Sequence, residues 1–294
     1  MPEVRSVVIT GASRGLGFAT AKHLYRQGWH VLAAMRTPES GMARLYAETG
    51  ASPDDPRLTG IQLDMADSAS IAAAADAIIA AVGAPDVLVH NAGISAAGMV
   101  EEAPMALWHQ MFDVHVFGPV ELTQLLLPGM RAAGRGRIVL TSSAGGIRGM
   151  PTTAAYSAAK GALERWGEAM AGELAPFGLG VTILVTGTYD TDIITDEGTS
   201  DHRDFSGPYA REHATIDKRG RLAMKIARDP EVFARGLAAA LASDRPFVRI
   251  PVGPDARMLM YINRILPGRA MHQMIRLVMG LPGKGKLATG GSDA

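Results

Sequence analysis

The sequence predicts an α/β fold built on a doubly wound parallel sheet with helices on both faces. Three observations lead there. Short β-branched runs alternate with helical stretches of about a dozen residues, the pattern of parallel strands joined by crossovers. The first run ends in a glycine-rich turn that opens a helix. Gly11, Asp64, Asn91 and Ser143, from four separate segments, all fall at the carboxyl ends of predicted strands, where open parallel sheets bind ligands.

Composition narrows the class. The 294 residues are 47% hydrophobic, ample for a core. The 29 basic and 29 acidic residues balance, which gives no reason to expect nucleic acid as a partner. There is no cysteine, which removes disulfides, thiolate metal sites and thiol nucleophiles and fits a reducing, cytoplasmic setting. The eight histidines form no HExxH or other close ligand spacing, so no metal is expected. Neither a charged-then-apolar leader nor a transmembrane run is read.

Val7 to Ile9 reads as a buried first strand ending in TGASRGLG, with glycines at 11, 15 and 17. Glycines there let the backbone approach a pyrophosphate, and the helix that follows offers free N–H groups. His30 to Ala34 is the second strand. Where NAD-binding folds place a ribose-binding carboxylate, this chain has Met35 and Arg36, with Arg14 in the glycine loop. Two cations and no carboxylate suit a 2′-phosphate, so NADP(H) is preferred over NAD(H).

A helix and a Pro/Asp-rich turn occupy 39–57. Gly60 to Leu63 is the third strand, and Ser68 is expected to cap an Ala-rich helix over 69–81. Asp86 to Val89 runs into His-Asn-Ala-Gly, a loop signal with Asn91 free to bond a ligand or its own backbone. One long helix is expected over 104–130, apolar at 107, 111, 114, 122, 125 and 126. Arg137 to Leu140 delivers Ser142 and Ser143, and the next helix runs to about Ala175. Gly180 to Val185 is a sixth strand. The polar stretch 190–225 reads as an irregular substrate lid. Pro230 to Ala242 is a helix and Phe247 to Ile250 the last strand, closing a catalytic domain over 1–253. Residues 254–283 keep an amphipathic helical spacing broken at Pro267-Gly268, interrupted by Arg257, Arg264, Arg269 and Arg276. Packing over the cleft or against a second subunit is the favoured reading, with peripheral membrane contact the alternative. Residues 284–294 are expected to be disordered.

The chemistry concentrates between Ser143 and Lys160. Tyr156 and Lys160 are four residues apart, hence on one face of a helix. An ammonium beside a phenol favours the phenolate, and a Tyr so tuned exchanges protons with a carbonyl or alcohol oxygen. The Ser143 hydroxyl is placed to hold that oxygen.

With TGASRGLG, NAG, Ser143, Tyr156 and Lys160 in this order, the chain resembles the short-chain dehydrogenase/reductase family over about residues 4–250. The S-x-G-G-x-x-G-x-P loop and C-terminal extension look most like its hydroxysteroid and retinoid dehydrogenases. The resemblance implies a single Rossmann-fold domain with a seven-stranded parallel sheet. It implies an NAD(P) cofactor on Gly11, Gly15 and Gly17, with Ser13, Arg14, Leu16 and Arg36 nearby. It puts Asp64 and Met65 near the adenine, Asn91, Ala92 and Gly93 near its ribose, and Thr191 at the nicotinamide amide. Tyr156 is implied as general acid/base, Lys160 as its tuner and ribose ligand, and Ser143 as the carbonyl clamp. Pairing through the helices at 104–130 and 153–175 is implied too, giving a homodimer or homotetramer.

Two positions depart from the family. His115 stands where an Asn usually supports a water chain to the Lys, and either substitutes for it or is a satisfied helix residue. Thr186 replaces the Pro of the usual Pro-Gly after the sixth strand. The sequence therefore predicts an NADP(H)-dependent oxidoreductase acting on an apolar carbonyl or secondary alcohol, with Met150, Ile193 and Ile194 as walls. The alternative is a cofactor-binding sensor without turnover.

Overall fold

The computed structural model describes residues 4–191 and 199–286. Ile193 and Ile194, the 192–198 part of the expected lid and the 287–294 part of the tail lie outside the described residues.

The strands are β1 (Ser6–Thr10), β2 (His30–Met35), β3 (Leu58–Gln62), β4 (Val87–His90), β5 (Ser95–Ala97), β6 (Gly136–Ser143), β7 (Leu179–Thr186), β8 (Thr199–Asp201) and β9 (Phe247–Val252). Seven of them form one sheet in the order β3-β2-β1-β4-β6-β7-β9, every pair parallel. The order reverses at β1, so the carboxyl ends of β1 and β4 flank a crevice, the place such sheets bind ligands. The central strands are buried on both faces, as their continuous apolar runs require.

The helices on one face are α1 (Gly15–Arg26), α2 (Pro38–Thr49) and α9 (Pro230–Ala240), packed around Leu24, Leu45 and Phe233. On the other face lie α3 (Ser68–Val82), α5 (Gly118–Ala133) and α7 (Ala154–Leu174), around Ile78, Leu122, Leu126 and Leu163. The remaining helices are α4 (Met105–Phe112), the short α6 (Ala144–Ile147), α8 (Ala210–Met224), α10 (Pro254–Ile265) and α11 (Gly268–Met279).

Several local expectations need correction. The cap of α3 is Asp67, whose carboxylate accepts from Ala69 N at 3.0 Å; Ser68 is already helical and its hydroxyl goes to Glu121 instead. The helix expected over 104–130 is interrupted by a π-helical turn, Asp113–Phe117, between α4 and α5. Such turns recur at functional sites because one extra residue redirects the side chains. Here the redirected residue is His115. Leu125 faces outward, off the apolar stripe assigned to it.

The polar stretch read as an irregular lid contains helix α8. Its apolar pattern is poor; what anchors it is a polar contact, His213 Nε2 to Glu102 Oε1 at 2.8 Å, with the imidazole fully buried and the carboxylate half-buried. A minor parallel pair, β5 with β8, also joins this region to the loop after β4 and was not legible in so short a run. The C-terminal helices pack on the domain: α10 lies against α6 and β9, with Ala256 and Met260 on the core side, and α11 lies against α8. Among the described residues no helix is long and apolar enough to cross a membrane.

Candidate active site

The crevice at the carboxyl ends of β1 and β4 begins with the glycine turn. Gly11 takes φ +69° and packs so tightly that a Cβ would stand 2.7 Å from Ala92 Cα. A Cβ at Gly17 would stand 2.2 Å from the Gly11 carbonyl oxygen. The turn, the start of α1 and the Asn91 loop are thus stacked backbone on backbone. Thr10 Oγ1 accepts from the N–H groups of Asn91 and Ala92, both at 3.0 Å. The Asn91 amide donates to the Thr10 carbonyl at 3.1 Å, so its side chain braces the turn. The backbone it bonds is that of Thr10 in β1 rather than its own, and Asn91 also lines the crevice.

The first turn of α1 has no side-chain cap, and Gly15 and Leu16 line the crevice. Uncapped N–H groups and the positive end of a helix dipole make an anion site there. Ser13, Arg14 and Arg36 stand along the same wall, with Asp64, Met65, Ala92 and Gly93 further along. This donor set fits the diphosphate of a dinucleotide. Thr191 packs against the glycine turn, its methyl 3.2 Å from where a Gly15 Cβ would be, beside the anion site. Gly17 is buried beneath the turn and is not among the described residues that line the crevice.

The same crevice, about 260 Å³, is lined deeper in by His115, Ser143, Tyr156 and Lys160. Ser143 ends β6 and caps the short α6, its hydroxyl accepting from Gly145 N at 3.3 Å. Tyr156 enters from the first turn of α7, and Lys160 follows one turn on. The Lys160 ammonium is 5.7 Å from the Tyr156 ring centroid and donates to the Thr141 carbonyl at 2.8 Å.

The electrostatics differ from the expectation in one respect. The Tyr156 phenol is not lowered. Burial pushes it above its ordinary value of 10.0, and a hydrogen bond with the Ser143 hydroxyl pulls it only part of the way back. The strongly shifted group is Lys160, brought down by burial from 10.5 to about 7, with the Glu164 carboxylate opposing the fall. The physical reason is geometric: the ammonium is directed at a backbone carbonyl, and desolvation costs both charged forms. The site therefore holds a protonated phenol beside a lysine that titrates near neutral pH.

His115 is buried, its ring 5.4 Å from that of Tyr156 at an interplanar angle of 88°. Its Nε2 donates to the Ile94 carbonyl at 2.9 Å, and Nδ1 has no partner among the described residues. Burial first, then the Lys160 charge, holds the ring well below the ordinary histidine value, so it is neutral. Thr186 keeps the loop close: its hydroxyl donates to the Ser142 carbonyl at 2.7 Å, tying β7 to β6 where the family has a proline.

Glu164 completes the arrangement below the crevice. It is fully buried, accepts from Ser142 Oγ at 2.6 Å and pairs with Arg249 on β9. Tyr156, Lys160 and Glu164 recur every four residues, one stripe of α7. That spacing was the available signal.

A doubly wound parallel sheet with an anion site at its switch point and a Ser/Tyr/Lys set on the same crevice defines a dinucleotide-dependent oxidoreductase. The chain belongs to the short chain dehydrogenase family, whose profile matches residues 5–201. It is 30% identical over 276 residues to the 3-ketodihydrosphingosine reductase of Bacteroides thetaiotaomicron, covering 92% of this chain and 96% of that one. It is 32% identical over 252 residues to human 17-beta-hydroxysteroid dehydrogenase type 1, covering 83% and 76%. Among solved structures, a short-chain dehydrogenase from Streptomyces avermitilis superposes with a TM-score of 0.78 at 31% identity, over 100% of both chains. The protein is thus a family oxidoreductase whose fold binds a nicotinamide cofactor and acts on small substrates, in a family where oligomers are common.

Proposed function

We propose that the protein transfers a hydride between C4 of NADP(H) and the carbonyl or secondary-alcohol carbon of an apolar, lipid-like substrate. The observation that carries this reading is the placement of Ser143, Tyr156 and Lys160 on the crevice that also holds the uncapped start of α1. The nicotinamide, when bound, supplies or takes the hydride. Tyr156 gives the proton to the carbonyl oxygen, Ser143 holds that oxygen, and the Lys160 ammonium steadies the phenolate left behind. Lys160 also reaches the cofactor ribose. His115, with Nδ1 as a bare acceptor, holds a water that resupplies Lys160 in place of the family's Asn. Support for an apolar substrate comes from relatives whose names record a keto-sphingoid base and a hydroxysteroid; Met150, expected as a wall, is not among the described residues that line the crevice.

The preference for NADP(H) rests on Arg36 and Arg14 lining the crevice with no carboxylate at the end of β2. Replacing Arg36 by Ala is expected to weaken NADPH binding about tenfold and leave NADH unchanged. Fluorescence titration with both cofactors reads this, and equal losses for the two would remove the assignment.

A second reading concerns surfaces. Met258, Tyr261 and Ile265 form an exposed stripe on α10, flanked by Arg257 and Arg264, which suits an anionic lipid surface. Exposed Met105 and Phe117 on the long-helix face suit pairing of two copies. The double substitution Met258→Ser/Ile265→Ser should abolish co-sedimentation with anionic vesicles and leave the mass by light scattering unchanged. A changed mass would make the stripe a subunit contact instead.

A further inference from the structure

The C-terminal helix α10 makes two polar contacts that the oxidoreductase reading does not use. At its first turn the Asp255 carboxylate accepts from Thr188 N at 2.6 Å. Thr188 lies in the loop after β7, whose residues Thr186, Gly187 and Tyr189 line the crevice. Two glycines make room for that carboxylate. A Cβ at Gly187 would lie 1.9 Å from Asp255 Oδ1, and one at Gly253 would lie 2.8 Å from it. Gly253 also takes φ +110°, which turns the chain from β9 into α10 and aims Asp255 back at the loop. The loop is also held at other points: Thr186 bonds the Ser142 carbonyl, Gly187 N donates to Val252 O at 3.1 Å, Thr188 and Asp190 pair with the Arg228 backbone, and the Tyr189 ring packs edge-on against Phe233; Asp255 is the side chain that fixes the Thr188 N–H between them.

Two turns further on, Asn263 Oδ1 accepts from Arg148 Nε. Arg148 ends the short helix that Ser143 caps. The same rigid helix thus touches the loop on one side of the crevice and the Ser143 segment on the other. Eight residues of helix separate the two contacts, a span of about 12 Å that cannot stretch.

We propose that Asp255 is a positioning residue for cofactor binding, holding the Thr186–Thr191 loop in its crevice-lining shape through the Thr188 N–H, with α10 as the strut that also fixes the Ser143 side through Asn263. The proposal rests on the nicotinamide reading above. A charge-assisted hydrogen bond to a backbone N–H is among the stronger polar contacts, and its loss releases the loop.

The test is a titration of the full-length protein with NADPH, followed by nicotinamide fluorescence, with the melting temperature recorded alongside. Asp255→Ala is expected to raise the NADPH Kd about tenfold or more. Asp255→Asn keeps the shape and an acceptor oxygen, and should restore part of the affinity. Asn263→Ala should leave the NADPH Kd unchanged and raise the KM for a ketone. Should Asp255→Ala not fold, Asp255→Asn decides, with a rise of about threefold expected from the weaker neutral acceptor. An NADPH Kd equal to wild type in the folded Asp255 variants overturns the proposal, even if they melt earlier. A wild-type protein that binds no NADPH would instead sink the nicotinamide reading.

Discussion

Tyr156→Phe is expected to cut ketone-dependent NADPH oxidation by about 100- to 10,000-fold, the range set by losing a positioned proton donor. Its NADPH affinity should stay within a few-fold of wild type, because the glycine turn, the start of α1 and Arg36 are untouched. The wild-type pH profile carries the companion expectation. The Tyr156 phenol is raised, so it stays protonated through neutral pH. Lys160 is depressed to about 7, so it loses its charge as pH climbs past that value. The ammonium is needed to stabilise the phenolate formed when the proton leaves. The kcat/KM for reduction should therefore be high below about 7 and fall above it. Steady-state assays from pH 5.5 to 9 read both arms, taking roughly two pH units either side of the Lys160 value as the useful window. A Tyr156→Phe enzyme with undiminished turnover, or a flat profile, would remove the assigned proton path.

The second large effect is on stability. Arg249→Met takes away the cation paired with Glu164, whose side chain is 0% exposed while that of Arg249 is 25% exposed. Ser142 would remain as the acceptor's main partner. Stranding a buried carboxylate in this way costs about 3–5 kcal/mol. The double variant Glu164→Met/Arg249→Met, which removes both charges, should recover most of the loss, since well-packed apolar replacements of buried pairs are often neutral. Urea unfolding of the three proteins measures it. A loss below about 1 kcal/mol for Arg249→Met would mark the pair as an ordinary surface contact. The consequence for the site is direct, because Glu164 is the group that opposes the fall of Lys160.

Much of this arrangement could be read from the chain. Strand and helix order follow from alternation of β-branched runs with longer helical ones, and the seven-stranded parallel sheet is as expected. The glycine turn was legible because close backbone approach demands glycine at 11 and 17, and the structure shows contacts there that leave no room for a Cβ. What was hidden depended on contacts distant in sequence. Helix α8 is held by His213 meeting Glu102, a pairing no local pattern contains. The π-helical turn at His115 leaves no mark on apolar spacing. The direction of the Tyr156 shift is not legible from spacing, which gives proximity to Lys160 but not where the ammonium points. It points at Thr141, and desolvation then dominates. Asp255 was read only as part of an amphipathic tail; its target, Thr188, lies 67 residues earlier.

The most direct measurement follows the hydride itself. NADPH carrying deuterium at both C4 positions is incubated with the protein and a panel of apolar ketones, and the alcohols are examined by mass spectrometry. Deuterium at the carbinol carbon with wild-type protein, and at least about 100-fold less in the same time with Tyr156→Phe, is the predicted result. NADPH bound in the crevice with no label reaching any alcohol in the panel would contradict it.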